Sequence, residues 1–192
     1  MKKLILLGLL VSFSLSSFAQ RDTKDWYLSV GVNAINTLGS QNPFYNPGDW
    51  SYQTPISAAI EFNWAKNFAI EQSITFNGFT DESQVDVVHD FEELEKDYNY
   101  LSFDTHVKYY FGNHIFRNAD WIDFYANAGI GFFHIDETNL TGNLGGGVLV
   151  WLNQSRSFGL RGQIISKFAF DHSESYIDNN HYQYHLQVIF KL

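Results

Sequence analysis

From Tyr100 to Phe111 the chain changes character at every second residue. Leu101, Phe103, Thr105, Val107, Tyr109 and Phe111 alternate with Ser102, Asp104, His106, Lys108 and Tyr110. A period of two describes a β-strand whose two faces meet two different environments. The same alternation runs through 26–35, with Leu28, Val30, Val32 and Ala34 against Ser29, Gly31 and Asn33. It recurs in 55–64, where Ile56, Ala58, Ile60, Phe62 and Trp64 oppose Ser57, Ala59, Glu61 and Asn63. In 68–78, Ile70, Ile74 and Phe76 oppose Glu71, Ser73, Thr75 and Asn77. Segments 122–135 and 158–170 follow the rule, and 181–192 breaks it only at Ile189. Segment 144–152 is strand-like but glycine-rich and apolar on both faces, so its orientation is unreadable. With it the chain has eight strands of about ten residues, the length that crosses a bilayer at a tilt.

The connections sort into two sets. Those at 36–54, 79–99, 136–143 and 171–180 alternate with those at 65–67, 112–121 and 153–157. Short turns on one side and longer loops on the other match a transmembrane barrel. The expected architecture is all-β: an eight-stranded antiparallel up-and-down transmembrane β-barrel. Its two termini would face the periplasm and its longer loops the exterior.

Composition narrows the compartment. Lys2 and Lys3, the apolar run Leu4 to Val11 and the small residues of Ser17-Phe18-Ala19 read as a secretory signal peptide over 1–19. The barrel domain is then 20–192. There are no cysteines, so an exported domain must rely on a core or on a closed sheet in lipid. Aromatic residues make up 18% of the chain and gather at strand ends, as interfacial girdles do. Trp26, Trp64, Trp151, Phe158, Phe190, Tyr182 and Tyr184 are the expected girdle. The net charge of −9 argues against nucleic acid, whose phosphates need a basic surface. Outer-membrane lipids are the expected partner.

One constellation on the polar faces carries chemistry. If the hairpin around Ala65-Lys66-Asn67 is symmetric, Glu61 stands opposite Glu71. Two facing carboxylates repel unless cations compensate. Lys108 and Arg161 each lie three residues from the periplasmic end of their own strand, at similar depth. Glu61, Glu71, Lys108 and Arg161 are therefore expected to form an ion-pair cluster in the lumen. An eight-stranded barrel is only wide enough for side chains to fill, which weighs against a general diffusion pore.

Other chemistry fails on spacing. The acidic run from Asp81 to Asp97 lacks calcium-loop spacing and reads as a solvated outer loop. The seven histidines show no zinc spacing, and His106 and His185 read as lumen fillers. GNLGGG at 142–147 precedes no helix, so it is no phosphate loop; its glycines suit close strand packing instead. No cofactor, metal or catalytic residue is expected.

Taken together, DWYLSVGVNAIN, YLSFDTHVKYYFG, DWIDFYANAGIGFF, GGGVLVWLN, SFGLRGQIISKFAF and HYQYHLQVIFKL resemble the small outer-membrane β-barrel proteins of Gram-negative bacteria. The likeness is to the N-terminal barrel of OmpA-family and porin-family proteins. The resemblance implies a barrel closed between its first and last strands and a charge cluster in the lumen. It also implies a closing strand read by the barrel insertion machinery. The function expected is non-enzymatic: envelope structure, surface interaction through loops 36–54 and 79–99 with an extracellular ligand, or minor solute passage. The competing readings are a secreted lipocalin-like barrel holding a lipophilic ligand inside, and a lipid-modifying outer-membrane enzyme.

Overall fold

A computed structural model describes residues 23–87, 90–116, 119–170, 177 and 179–192. The expected signal peptide falls on residues outside that range. The wall consists of β1 (Trp26–Ile35), β2 (Ile56–Ala65), β3 (Phe68–Phe79), β6 (Tyr98–Tyr110), β7 (Ile122–His134), β8 (Thr138–Trp151), β9 (Phe158–Ala169) and β10 (His181–Lys191). Each pairs antiparallel with its neighbour, and β1 closes on β10 from Tyr27↔Lys191 to Ile35↔Gln183. The ring is therefore an up-and-down barrel with no free edge. Two short strands, β4 (Gln84–Val87) and β5 (Asp90–Glu93), form a separate hairpin inside the third connection.

The period-two pattern decides which way each side chain points. Val32, Ile56, Ile130, Leu140, Leu144 and Leu186 face outward, each more than half exposed. Ser57, Glu61, Glu71, Ser102, Lys108, Arg161 and Gln187 face inward and are almost fully buried. That polarity is the reverse of a lipocalin-like barrel, whose interior must be apolar. The backbone register also tilts. The row Tyr27–Glu61–Glu71–His106–Gly129–Asn143–Lys167–His181 begins at the short-turn end and finishes near the long-loop end. This is the stagger that closure demands.

Three expectations are corrected. β8 starts at Thr138 rather than 144, and its connection to β7 shrinks to 135–137. Asn139, Thr141 and Asn143 looked like loop residues, but they line a polar lumen while Leu140 and Leu144 face outward. The glycines hid the parity of the rest of the strand. Gly145 and Gly147 point inward, and a Cβ at Gly147 would stand 2.6 Å from Tyr125 Cζ. Glycine there leaves room for the large inward tyrosine of β7.

The acidic segment 79–99 is not a solvated loop throughout. β3 runs on to Phe79, and the β4–β5 hairpin folds back so that Val85 and Leu94 are buried. Asp86 N–H donates to Leu38 O at 2.8 Å, tying this hairpin to the first long connection. Trp151, expected in the girdle, is 6% exposed and points into the barrel against Tyr27, with ring centroids 5.7 Å apart. It shares the parity of Leu149, which also faces inward.

Apolar side chains close the interior at both ends. At the short-turn end Tyr27, Tyr110, Tyr125, Leu149, Trp151 and Ile189 pack together, which accounts for the break in alternation at Ile189. At the long-loop end Ile35, Leu38, Val85, Leu94, Phe133 and Ile177 form a second cluster.

Candidate functional site

Between these two caps the lumen is polar and layered. Nearest the short turns, β2 supplies Glu61, β3 Glu71, β6 Lys108 and β9 Arg161, all 0% exposed. The hairpin register places Glu61 directly opposite Glu71. Lys108 Nζ donates to Glu61 Oε2 at 3.1 Å and to Glu71 Oε2 at 2.5 Å. Arg161 Nη2 donates to Glu61 Oε2 at 2.7 Å, and its Nη1 to Glu71 Oε2. Each carboxylate thus faces two cations, which offsets the repulsion between the pair.

Neighbours hold the quartet in place. Tyr110 OH donates to Glu61 Oε1 at 2.7 Å, and Arg161 Nη1 donates to Ser29 Oγ at 3.1 Å. Lys108 Nζ sits 4.6 Å from the centroid of the Tyr125 ring, so part of the inner cap is also a cation–π face. Two positive and two negative groups stripped of water are stable only as a complete set.

A second layer lies toward the long loops and was not paired at the level of sequence. Lys167 Nζ from β9 donates to Asp104 Oδ1 of β6 at 2.6 Å. Asn143 Nδ2 donates to the same oxygen at 2.8 Å, and Ser102 Oγ to Asp104 Oδ2 at 3.1 Å. The alternation already put Asp104 and Lys167 on polar faces, but their pairing spans the lumen between strands that are not neighbours. The stagger of the barrel was the missing quantity. His106 stands between the layers, its Nδ1 3.8 Å from Glu71 Oε1. Above them Gln183 Nε2 donates to Tyr100 OH at 2.6 Å, and Tyr100 OH meets His181 Nε2 at 2.8 Å. His185 is buried beside Gln183, 3.2 Å from its Oε1.

The other expected girdle residues lie outside the lumen. Trp26 is 47% exposed and packs on Phe62, and Trp64 stacks parallel to Phe68. Phe158 packs on Phe190 across the β9–β10 pair. Tyr182 and Tyr184 lie beneath the first long connection: Tyr182 OH donates to Gln41 O at 3.2 Å, and Tyr184 OH donates to Pro43 O. Among the described residues no group of three or more His, Cys, Asp or Glu side chains could hold a metal ion.

Comparisons with known proteins agree with this geometry. Residues 5–190 match the family model for the outer membrane protein beta-barrel domain. Among solved structures, OprG of Pseudomonas aeruginosa superposes with a TM-score of 0.60 at 11% identity, covering 90% of this chain and 97% of that one. Ail, the attachment invasion locus protein of Yersinia pestis, gives 0.52 at 12% identity, covering 89% and 100%. The N-terminal barrel of Pseudomonas aeruginosa OprF gives 0.51 at 13% identity, covering 90% and 100%. At these identities the likeness is one of fold alone. No curated protein matches at the level of sequence. The chain belongs to the outer membrane protein β-barrel domain family, and its place is the outer membrane.

Proposed function

We propose that this family member is a sealed, non-enzymatic barrel that carries a folded set of loops at the cell surface. The observation supporting that reading is the filled interior. Two apolar caps enclose an ion quartet and a second ion pair, and their charged side chains are at most 1% exposed. A solute would have to part both caps and leave buried charges uncompensated, which is costly. Envelope structure and surface contact therefore fit better than solute passage. In this reading both termini face the periplasm, the β10 end serves the insertion machinery, and the long loops face outward.

The charge of the loops restricts the surface partner. Across 36–54, 79–99, 135–137 and 171–180 the one Lys or Arg is Lys96, against many acidic residues. Ail has been crystallised with the heparin analogue sucrose octasulfate. An acidic rim disfavours such a polyanion here and favours a cationic or uncharged partner.

Planar-bilayer recording on refolded protein tests the reading, with Arg161→Ala in parallel. The expected result is no stable conductance from the native chain. Reproducible unitary steps from it would overturn the sealed barrel and promote passage of small solutes.

A further inference from the structure

A cavity of about 480 Å³ lies outside the barrel wall, over the seam where β1 closes on β10. That is within the usual range of ligand pockets, about 300–1,000 Å³. Val32 and Leu186, register partners across the seam, form its floor. Trp50, Tyr52, Pro55 and Tyr184 form its upper wall. The wall is built before anything enters it. Trp50 stacks on Tyr184 with centroids 4.2 Å apart and planes 17° from parallel. Ser51 N–H, beside it, donates to Ile35 O at 2.8 Å, and Ser51 Oγ donates to Gly78 O.

The polar ends of these rings are all spent on the loop backbone. Trp50 Nε1–H donates to Tyr45 O at 2.8 Å, Tyr52 OH to Pro47 O at 3.2 Å, and Tyr184 OH to Pro43 O. What they turn toward the cavity is carbon. Its floor is continuous with the outward aliphatic face: Val32 is 53% and Leu186 59% exposed, with Ile56 beside them at 58%. A groove that is walled by aromatic rings and floored by the lipid face opens toward hydrocarbon, not water.

We infer that this groove seats one acyl chain of a lipid from the surrounding outer leaflet. The occupant comes from the bilayer because the floor is part of the bilayer-facing surface. Recognition is of the chain and not of the headgroup, since segment 36–54 has no Lys or Arg to hold a phosphate. The loop thereby clamps a lipid over the closing seam.

Native mass spectrometry of the protein released from dioleoylphosphatidylcholine nanodiscs reads the seat directly. The native chain should retain one lipid. Trp50→Ala, which opens the wall, and Leu186→Trp, which fills the floor, should each lower the one-lipid species by about tenfold, a loss of about 1.4 kcal/mol in affinity. Ile130→Trp, on the lipid face of β7 away from the seam, should leave it unchanged, as should exchange of phosphatidylcholine for phosphatidylglycerol. A heat-dependent gel shift checks that each variant is folded, and only folded variants are scored. Four results overturn the inference: a bare native chain, equal retention in folded Trp50→Ala and Leu186→Trp, retention that follows headgroup charge, or release of a two-chain species that those two substitutions abolish. Displacement of the retained lipid by oleate added from solution, at concentrations leaving the bilayer intact, overturns it too and points to a water-borne ligand.

Discussion

Both ends of the barrel interior are sealed by apolar side chains, yet the seals are made from different kinds of chain. At the short-turn end Tyr27, Tyr110, Tyr125, Leu149, Trp151 and Ile189 all belong to wall strands. At the long-loop end, wall residues such as Ile35 and Phe133 are joined by Leu38, Val85, Leu94 and Ile177 from the connections. The first seal is made of side chains rooted in the hydrogen-bonded sheet itself. The second rests partly on a hairpin that pairs with itself and touches the first connection through Leu38. Cooperative stability should therefore concentrate at the short-turn end, and local opening at the other.

The largest effect should come from the charge layer beside the inner seal. Arg161→Ala leaves Glu61 and Glu71 facing each other with Lys108 as the remaining lysine or arginine bound to both. Breaking a buried set of this kind costs about 3–5 kcal/mol. Urea unfolding in lipid vesicles, followed by tryptophan emission, should show that loss. Adding Glu71→Gln should recover part of it, because one uncompensated charge is then gone. A loss below about 1 kcal/mol, the range of exposed pairs, would mean that the layer is wet and that the comparison of ends is misplaced.

The same contrast explains what could be read in the sequence. Glu61 and Glu71 flank a turn of known centre, so parity and turn position together fix their pairing. Lys108 and Arg161 were reached by counting up from the same rim, where strands start at nearly one level. Asp104 and Lys167 lie farther from that rim on strands three positions apart, and the accumulated stagger cannot be counted from alternation alone. The hairpin at 84–93 was hidden for another reason. Its acidic residues have the composition of a solvated loop, and the few apolar ones that anchor it, Val85 and Leu94, are too sparse to show a period.

Two tryptophans, one in the inner seal and one on the outer face, sharpen the comparison. Trp64 and Trp151 both sit near short turns and look alike in sequence. Trp64 is 43% exposed on the outer face, stacked on Phe68, whereas Trp151 is 6% exposed within the inner seal. Trp151→Ala removes a core side chain and should cost about 3–5 kcal/mol. Trp64→Ala removes one stacked outward-facing ring and should cost about 0.5–1.5 kcal/mol. Paired unfolding curves in the same vesicles decide it; equal losses would place both rings in one environment.

The smallest change in overall stability should come from the outer seal. Val85→Asp puts a carboxylate among Leu38, Leu94 and Phe79, where no cation is among the cluster's members. Burying it unpaired is unfavourable, so the hairpin lifts off and the side chain reaches water. The Leu38–Val85 bridge and the hydrogen bond from Asp86 to Leu38 are lost in doing so. The wall strands keep their pairing, and the unfolding free energy of the barrel should fall by less than about 1 kcal/mol. Protease added outside intact vesicles should nonetheless cut within 79–99 about tenfold faster than in the native chain, because cleavage follows the population of the open form. If barrel stability instead falls as far as it does for Arg161→Ala, the hairpin and the wall unfold as one unit. The two seals would then differ in sequence origin but not in mechanics.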